Sequence, residues 1–172
     1  MSEDYSGLKG YEVDADLGVG CGLPTEYAGI REGNTVLDLG SGAGNDCFIA
    51  RAEVGETGKI IGIDFSPQMI EKARKNATKR RYSNVEFIEG DIENMPLPDS
   101  SIDVVVSNCV LNLLPEKNKI FKEIYRVSKH ACCGLYEFSA LSSPKPISLF
   151  MILSISTKST PFPQSKPFNL PT

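Results

Sequence analysis

The feature that most constrains the fold is the stretch VLDLGSGAGND, residues 36–46. A short apolar run ends there in three glycines spaced two apart, Gly40, Gly42 and Gly44, and a helix-like segment, CFIARAEVG, follows. Glycines in that setting allow a tight turn and bring the backbone close to a ligand above a helix N-terminus. The dinucleotide fingerprint is G-x-G-x-x-G, and Asn45 stands where its last glycine would be. On spacing alone a nicotinamide or flavin site is the weaker reading. A purely structural turn stays open beside a ligand site.

Three more apolar runs carry the pattern onward. KIIGID at residues 59–64 reads as a second buried strand, with Ser66 and Pro67 as N-cap and first residue of a helix. Met69, Ile70, Ala73 and Ala77 mark one apolar face of that helix. NVEFIEGD (84–91) and IDVVVS (102–107) read as strands three and four, and KNKIFKEIYRVSK as a helix with Ile120, Phe121, Ile124 and Val127 on one side. Strands alternating with helices predict an α/β fold, an open, mainly parallel sheet covered on both faces. Right-handed crossovers then bring the strand C-termini to one edge, where such sheets bind ligands. A chain of 172 residues makes one such domain.

Composition removes several function classes. The formal charge is −4 and no basic stripe is present, which argues against a nucleic-acid partner. The short run Lys79-Arg80-Arg81 reads as a solvated helix end. The longest apolar stretch, ISLFMILSI at 147–155, is interrupted by serines and falls well short of the roughly 20 residues that span a bilayer. With no leader-like apolar run at the N-terminus and five cysteines that read as free thiols, the expectation is a cytoplasmic protein without a membrane partner.

Acidic residues fall at the strand ends. Asp64 closes the second strand some twenty residues after the glycine loop, where a carboxylate can accept hydrogen bonds from both hydroxyls of a ribose. Asp91, just past the third strand, can receive an adenine amino group, with Ile92 packed on the ring. Asp38, in the strand before the loop, can orient the loop or meet an ammonium. Each acid alone reads equally well as a cap or turn residue. Their shared edge is the informative part.

The ordered set VLDLGSGAG, IIGIDFSPQMIEKAR, NVEFIEGDIENMP and IDVVVSNCVLNLL resembles the S-adenosylmethionine-dependent methyltransferases of the Rossmann-like class, over residues 35–129. The resemblance implies S-adenosylmethionine as cofactor. It places Gly40, Gly42 and Gly44 at the methionine portion, Asp64 at the ribose, and Asp91 with Ile92 at the adenine. Asp38, Ser41, Phe65 and Asn108 complete the cofactor-binding set. Met69 is a candidate near the ribose that competes with a place in the core.

Three further stretches, YEVDADLGVGCGLPTEYA (11–28), GSGAGNDCFIA and SNCVLNL, resemble the arsenite methyltransferases. That resemblance implies a small-molecule substrate, trivalent arsenic either free or as a thiol conjugate, held by Cys21 and Cys109. Trivalent arsenic is thiophilic, like the soft metals that select thiolates. Its lone pair is a nucleophile without a proton, so no general base is required. Cys47 reads as core, and the adjacent Cys132 and Cys133 lack a second pair at zinc spacing. The resulting division is a substrate or lid segment at 1–30, a cofactor-binding core at 31–137 and a divergent tail at 138–172.

After RVSK the family pattern gives way to HACCGLYEFSALSSPKP, and residues 138–172 hold no acidic residue and six prolines. GLYEFSAL can supply a fifth strand and ISLFMILSI one helix or strand. The family's later strands are missing, so the sheet is expected to be incomplete at its C-terminal edge and open to edge-strand self-association. Two other functions stay open: a methyltransferase for a small organic acceptor, and a catalytically impaired module that binds S-adenosylmethionine.

Overall fold

A computed structural model describes residues 6–17, 25, 28–108, 110–111 and 116–129, and the backbone of 135–139 and 149–154. The elements are β1 (Thr35–Leu39), α1 (Asn45–Val54), β2 (Lys59–Asp64), α2 (Pro67–Arg80), β3 (Val85–Glu89), β4 (Val104–Asn108), α3 (Lys117–Val127), β5 (Leu135–Ser139) and β6 (Leu149–Ser154). They form one sheet in the order β3-β2-β1-β4-β6-β5. The first four strands are parallel, with Asp38 opposite Gly62 and Leu39 opposite Ser107. This is the Rossmann-like α/β arrangement.

Strand alternation sorts the core into two layers. Val36, Ile60, Val104 and Val106 face one way and pack with Cys47, Phe48 and Val54 of α1 and with Ile70, Ala73 and Ala77 of α2. Leu37, Leu39, Ile61, Ile63 and Val105 face the other way, onto Ile120, Ile124 and Val127 of α3. Met69 and Phe121, expected on buried helix faces, lie outside both layers. Met69 is half-buried, and Phe121 keeps 38 % of its surface exposed. α2 begins as expected: the Ser66 hydroxyl accepts the Met69 N–H at 3.4 Å and Pro67 opens the first turn.

Between β3 and β4 the chain crosses without a helix, and Ile92, Met95 and Leu97 close that side of the core. Two side chains of α3 hold the crossing, and Glu123 accepts the Met95 N–H at 2.8 Å. Arg126 donates to the carbonyls of Leu97 (2.8 Å) and Met95 (2.9 Å) and pairs with Asp99 and Glu123. At the other end of the sheet, ISLFMILSI contributes a strand. β6 runs antiparallel to β4, matching Asn108 with Phe150, and β5 pairs antiparallel to β6 outside it. β4 is therefore covered, GLYEFSAL supplies a strand as expected, and β5 forms the border of the described sheet on this side. Among the described residues no helix is long and apolar enough to cross a membrane.

Candidate functional site

β1, β2 and β4 run parallel and end at one rim of the sheet, and the glycine loop sits there. Gly40, Gly42 and Gly44 all have positive φ, at 76°, 51° and 95°. Two of them are also pressed by neighbours. A side chain on Gly40 would strike Val110, and one on Gly44 would meet Phe87 at 2.7 Å and Phe48 at 3.1 Å. Gly42 differs: a side chain there would meet only Leu17, in ordinary contact at 3.6 Å.

The loop's N–H groups are used within the protein. Gly40 and Ser41 both donate to the Ile63 carbonyl, at 2.8 and 3.0 Å, and Gly44 donates to the Ser41 carbonyl at 2.9 Å. The Gly42 N–H reaches the Asp64 carboxylate at 2.9 Å. A loop that binds pyrophosphate must keep such donors for the ligand. This one presents carboxylates instead. Asp38, Asp46 and Asp64 are 3, 9 and 8 % exposed, and none of the ion pairs among the described residues involves them. A buried cluster of acids without a cationic partner suits a cationic ligand, whose charge favours their ionisation, and opposes an anionic one.

Each predicted residue that the structure describes has a definite place. Asp64 is fixed by two backbone donors, Gly42 on one oxygen and Ser66 on the other (2.8 Å), which leaves further lone pairs for a diol. Phe65 beside it is 83 % exposed. Asp91 is exposed and closes its own turn by accepting the Glu93 N–H at 2.8 Å, while Ile92 is buried. Asp38 lies beneath the loop, where the Cys47 thiol donates to it at 3.3 Å. Cys47 is fully buried, as expected of a core cysteine. Cys21 and Cys109, like Cys132 and Cys133, lie outside the described residues.

Three residues join this set that the sequence did not single out. Asp46, in the first turn of α1, accepts from the Asn108 amide at 2.9 Å and so ties the helix start to the end of β4. Asn76 reaches from α2 to the Ala43 carbonyl at 3.3 Å. Asn45 holds a side-chain oxygen that, like the Ser41 hydroxyl, is buried without a hydrogen-bond partner. Orphaned buried polar atoms are uncommon and mark a place where a ligand or water completes the bonding. An acid in a first helical turn is ordinary macrodipole chemistry, so nothing in the sequence set Asp46 apart.

Burial pushes the Asp38 carboxyl up to about 8, the neighbouring Asp46 charge reinforces this, the Cys47 thiol opposes it, and Asp64 adds a smaller push. Burial likewise raises Asp46 to about 6, against the Asn108 hydrogen bond and with help from Asp16. An unfolded aspartate titrates near 3.9. Between roughly pH 4 and 8 the native state therefore binds more protons than the unfolded one, and stability falls as pH rises. The ligand-free protein should melt at a higher temperature at about pH 5.5 than at about pH 8, and Asp38→Asn should flatten that slope. A melting temperature that rises across the window would show that these carboxyls are not held protonated.

Residues 30–133, more than half of the chain, match the family described as methyltransferase domain. The chain belongs to the methyltransferase domain family. Among its relatives, an arsenite methyltransferase of Halobacterium salinarum is 52 % identical over 126 residues, covering 69 % of this chain and 32 % of that protein. A chloroplastic 2-phytyl-1,4-beta-naphthoquinone methyltransferase of Arabidopsis thaliana is 36 % identical over 110 residues, 62 % of this chain and 42 % of its own length. The crystal structure of an arsenic(III) S-adenosylmethionine methyltransferase from Chlamydomonas reinhardtii superposes with a TM-score of 0.58 at 45 % identity, over 63 % of this chain and 39 % of that one. This methyltransferase domain thus spans about a third of the length of the halobacterial relative.

S-adenosylmethionine is the cofactor that this family and fold imply, and the residues present fit it. The carboxylate rim suits its sulfonium and ammonium charges, and Asp64 is oriented for a diol. Ser41 and Asn45 have hydrogen-bonding capacity to spare.

Proposed function

We propose that this domain takes part in transferring a methyl group from S-adenosylmethionine to trivalent arsenic held by Cys21 and Cys109. The observation that supports the reading is that described residues flanking both cysteines in sequence meet one loop. Leu17, four residues before Cys21, is the neighbour that a side chain on Gly42 would touch. Asn108 and Val110, on either side of Cys109, bond to Asp46 at the start of α1 and pack on Gly40.

When bound, S-adenosylmethionine supplies an electrophilic methyl group. The chain's own residues do the rest. Asp64 holds the ribose, Asp91 and Ile92 receive the adenine, and Ser41 with the loop glycines borders the methionine portion. Asp38, Asp46 and Asp64 favour the cation, whose charge in turn lowers the cost of ionising the buried pair. Two thiolates hold arsenic and leave its lone pair free, so the acceptor is itself the nucleophile and no side chain has to remove a proton.

The test is titration with sodium arsenite in excess monothiol. Cys21→Ser with Cys109→Ser should weaken binding at least about a hundredfold, because a chelate of two thiols becomes none. Cys132→Ser with Cys133→Ser should bind as the parent does. Unchanged affinity in the first double variant would overturn the arsenic reading. A small organic acceptor is the second reading, favoured by the naphthoquinone named for the Arabidopsis relative. Methyl transfer to a naphthoquinol that survives loss of both cysteines would select it.

A further inference from the structure

Asp38 and Asp46 reach the rim from different elements and meet at one turn of helix. Asp46 and Cys47 are consecutive at the start of α1, and the Cys47 thiol donates to Asp38 of β1 at 3.3 Å. Asp46 in turn accepts the Asn108 amide of β4 at 2.9 Å. Besides Cys47, the titratable groups that act on the pair among the described residues are acids: Asp64 at the end of β2 on Asp38, and Asp16 on Asp46. Asp16 belongs to an N-terminal turn that Arg80 ties to the end of α2, through Glu12 at 2.6 Å and the Tyr11 carbonyl. From α2 comes Asn76, which is uncharged and donates to the Ala43 carbonyl at 3.3 Å. No ion pair among the described residues reaches either carboxyl.

Two carboxyls buried against one turn are costly to charge, and each raises the cost for the other. Near pH 6 the ligand-free pair therefore retains protons that exposed aspartates would have lost. The hydrogen bonds alone do not call for a titratable group, since an asparagine oxygen would accept from the Cys47 thiol as well. A second observation points to a ligand at the same place. The Ser41 hydroxyl is buried without a hydrogen-bond partner, in a residue 7 % exposed. It lies over Gly62, 2.7 Å from where a Cβ would stand, and Gly62 is opposite Asp38 in the sheet.

We propose that Asp38 and Asp46 sense the charge of the ligand: the pair releases a proton to solvent when S-adenosylmethionine binds and keeps it when S-adenosylhomocysteine binds. The two ligands share the adenosine, the ammonium and the carboxylate. They differ by one methyl group and by the positive charge of the sulfonium. A net cation at the rim favours the ionised carboxyls, and the ionised carboxyls hold the cation. The thioether left after methyl transfer lacks that charge. A proton then returns from solvent, and the neutral pair loses its hold on the product. The pair is thus a specificity device for cofactor over product, whichever acceptor takes the methyl group.

The test is calorimetric titration of the full chain with each ligand, in two buffers of different ionisation enthalpy, which counts the protons released. The range is about pH 5.5 to 7, below where the ligands' own α-amino group titrates. Affinity for S-adenosylmethionine should rise about tenfold per pH unit, the slope for one proton released, and affinity for S-adenosylhomocysteine less than about twofold. Asp38→Asn should flatten the first slope to that of the second. If that variant does not fold, Asp46→Asn serves, with the slope reduced most below about pH 6. Glu71→Gln, on the exposed side of α2 and paired with Lys75, should keep the parent slope. Equal slopes for the two ligands, or S-adenosylmethionine binding without proton release, would overturn the proposal. So would a parent-like slope in Asp38→Asn.

Discussion

Asp64→Ala should raise the dissociation constant for S-adenosylmethionine by more than about a hundredfold. In the proposed cofactor site the carboxylate stands between ligand and scaffold. Its two oxygens accept the Gly42 and Ser66 N–H groups, at 2.9 and 2.8 Å, and the side chain is 8 % exposed. Alanine strands two donors in a place that water reaches poorly, at about 1–3 kcal/mol each, and removes a charged acceptor for a ribose diol, about 1.5–3 kcal/mol more. Part of that cost is met by relaxation, yet about 2.7 kcal/mol already makes the hundredfold change. Asp91→Ala should lose less, about tenfold, because Asp91 is exposed and its turn also closes through the Asp91 carbonyl to the Asn94 N–H. Calorimetric titration of both variants decides it. An Asp64→Ala affinity within about threefold of the parent would remove Asp64 from the cofactor site.

Gly44→Ala should destabilise the domain by about 2–4 kcal/mol. Gly44 caps α1 at φ 95°, a conformation that costs an L-residue about 1–2 kcal/mol. The added methyl would also lie 2.7 Å from Phe87 and 3.1 Å from Phe48. Those rings meet edge to face with centroids 5.9 Å apart, so neither retreats without disturbing the other. Overpacking of that kind adds about 1–3 kcal/mol. Gly7→Ala is the control, since nothing lies within 4 Å of the position, and its change should stay inside about 0.5 kcal/mol. Urea unfolding of both variants gives the comparison; equal midpoints for Gly44→Ala and Gly7→Ala would refute the packing argument.

The parallel core was legible because period and punctuation agreed. TVLDL, KIIGID and IDVVVS are apolar on both faces, and each stops at a glycine or a polar residue. Asp64 stood out because its distance from the loop has a geometric meaning. Arg80 ends α2 as its basic run implies, but its pairing was not legible, because its partners lie 68 and 69 residues away. Asp46 stayed hidden for the same reason, its bond to Asn108 spanning 62 residues. Phe121 shares the spacing of the buried face of α3, yet periodicity fixes an angle around a helix and not the depth of the neighbour that covers it. For β6 the apolar run was visible, but the antiparallel match to β4 depends on pairing across more than forty residues.

Because the crossing between β3 and β4 lacks a helix, the wall that carries Asp91 and Ile92 has no internal ladder of its own, and Arg126 and Glu123 of α3 rivet it. A neutral side chain at position 126 would remove the donors to the Met95 and Leu97 carbonyls and leave the polar fastening to Glu123. It would slacken that wall while the glycine turn, braced separately by Ile63 and Asp64, kept its shape. The two walls of the rim are thus secured by different elements, and one can loosen without the other.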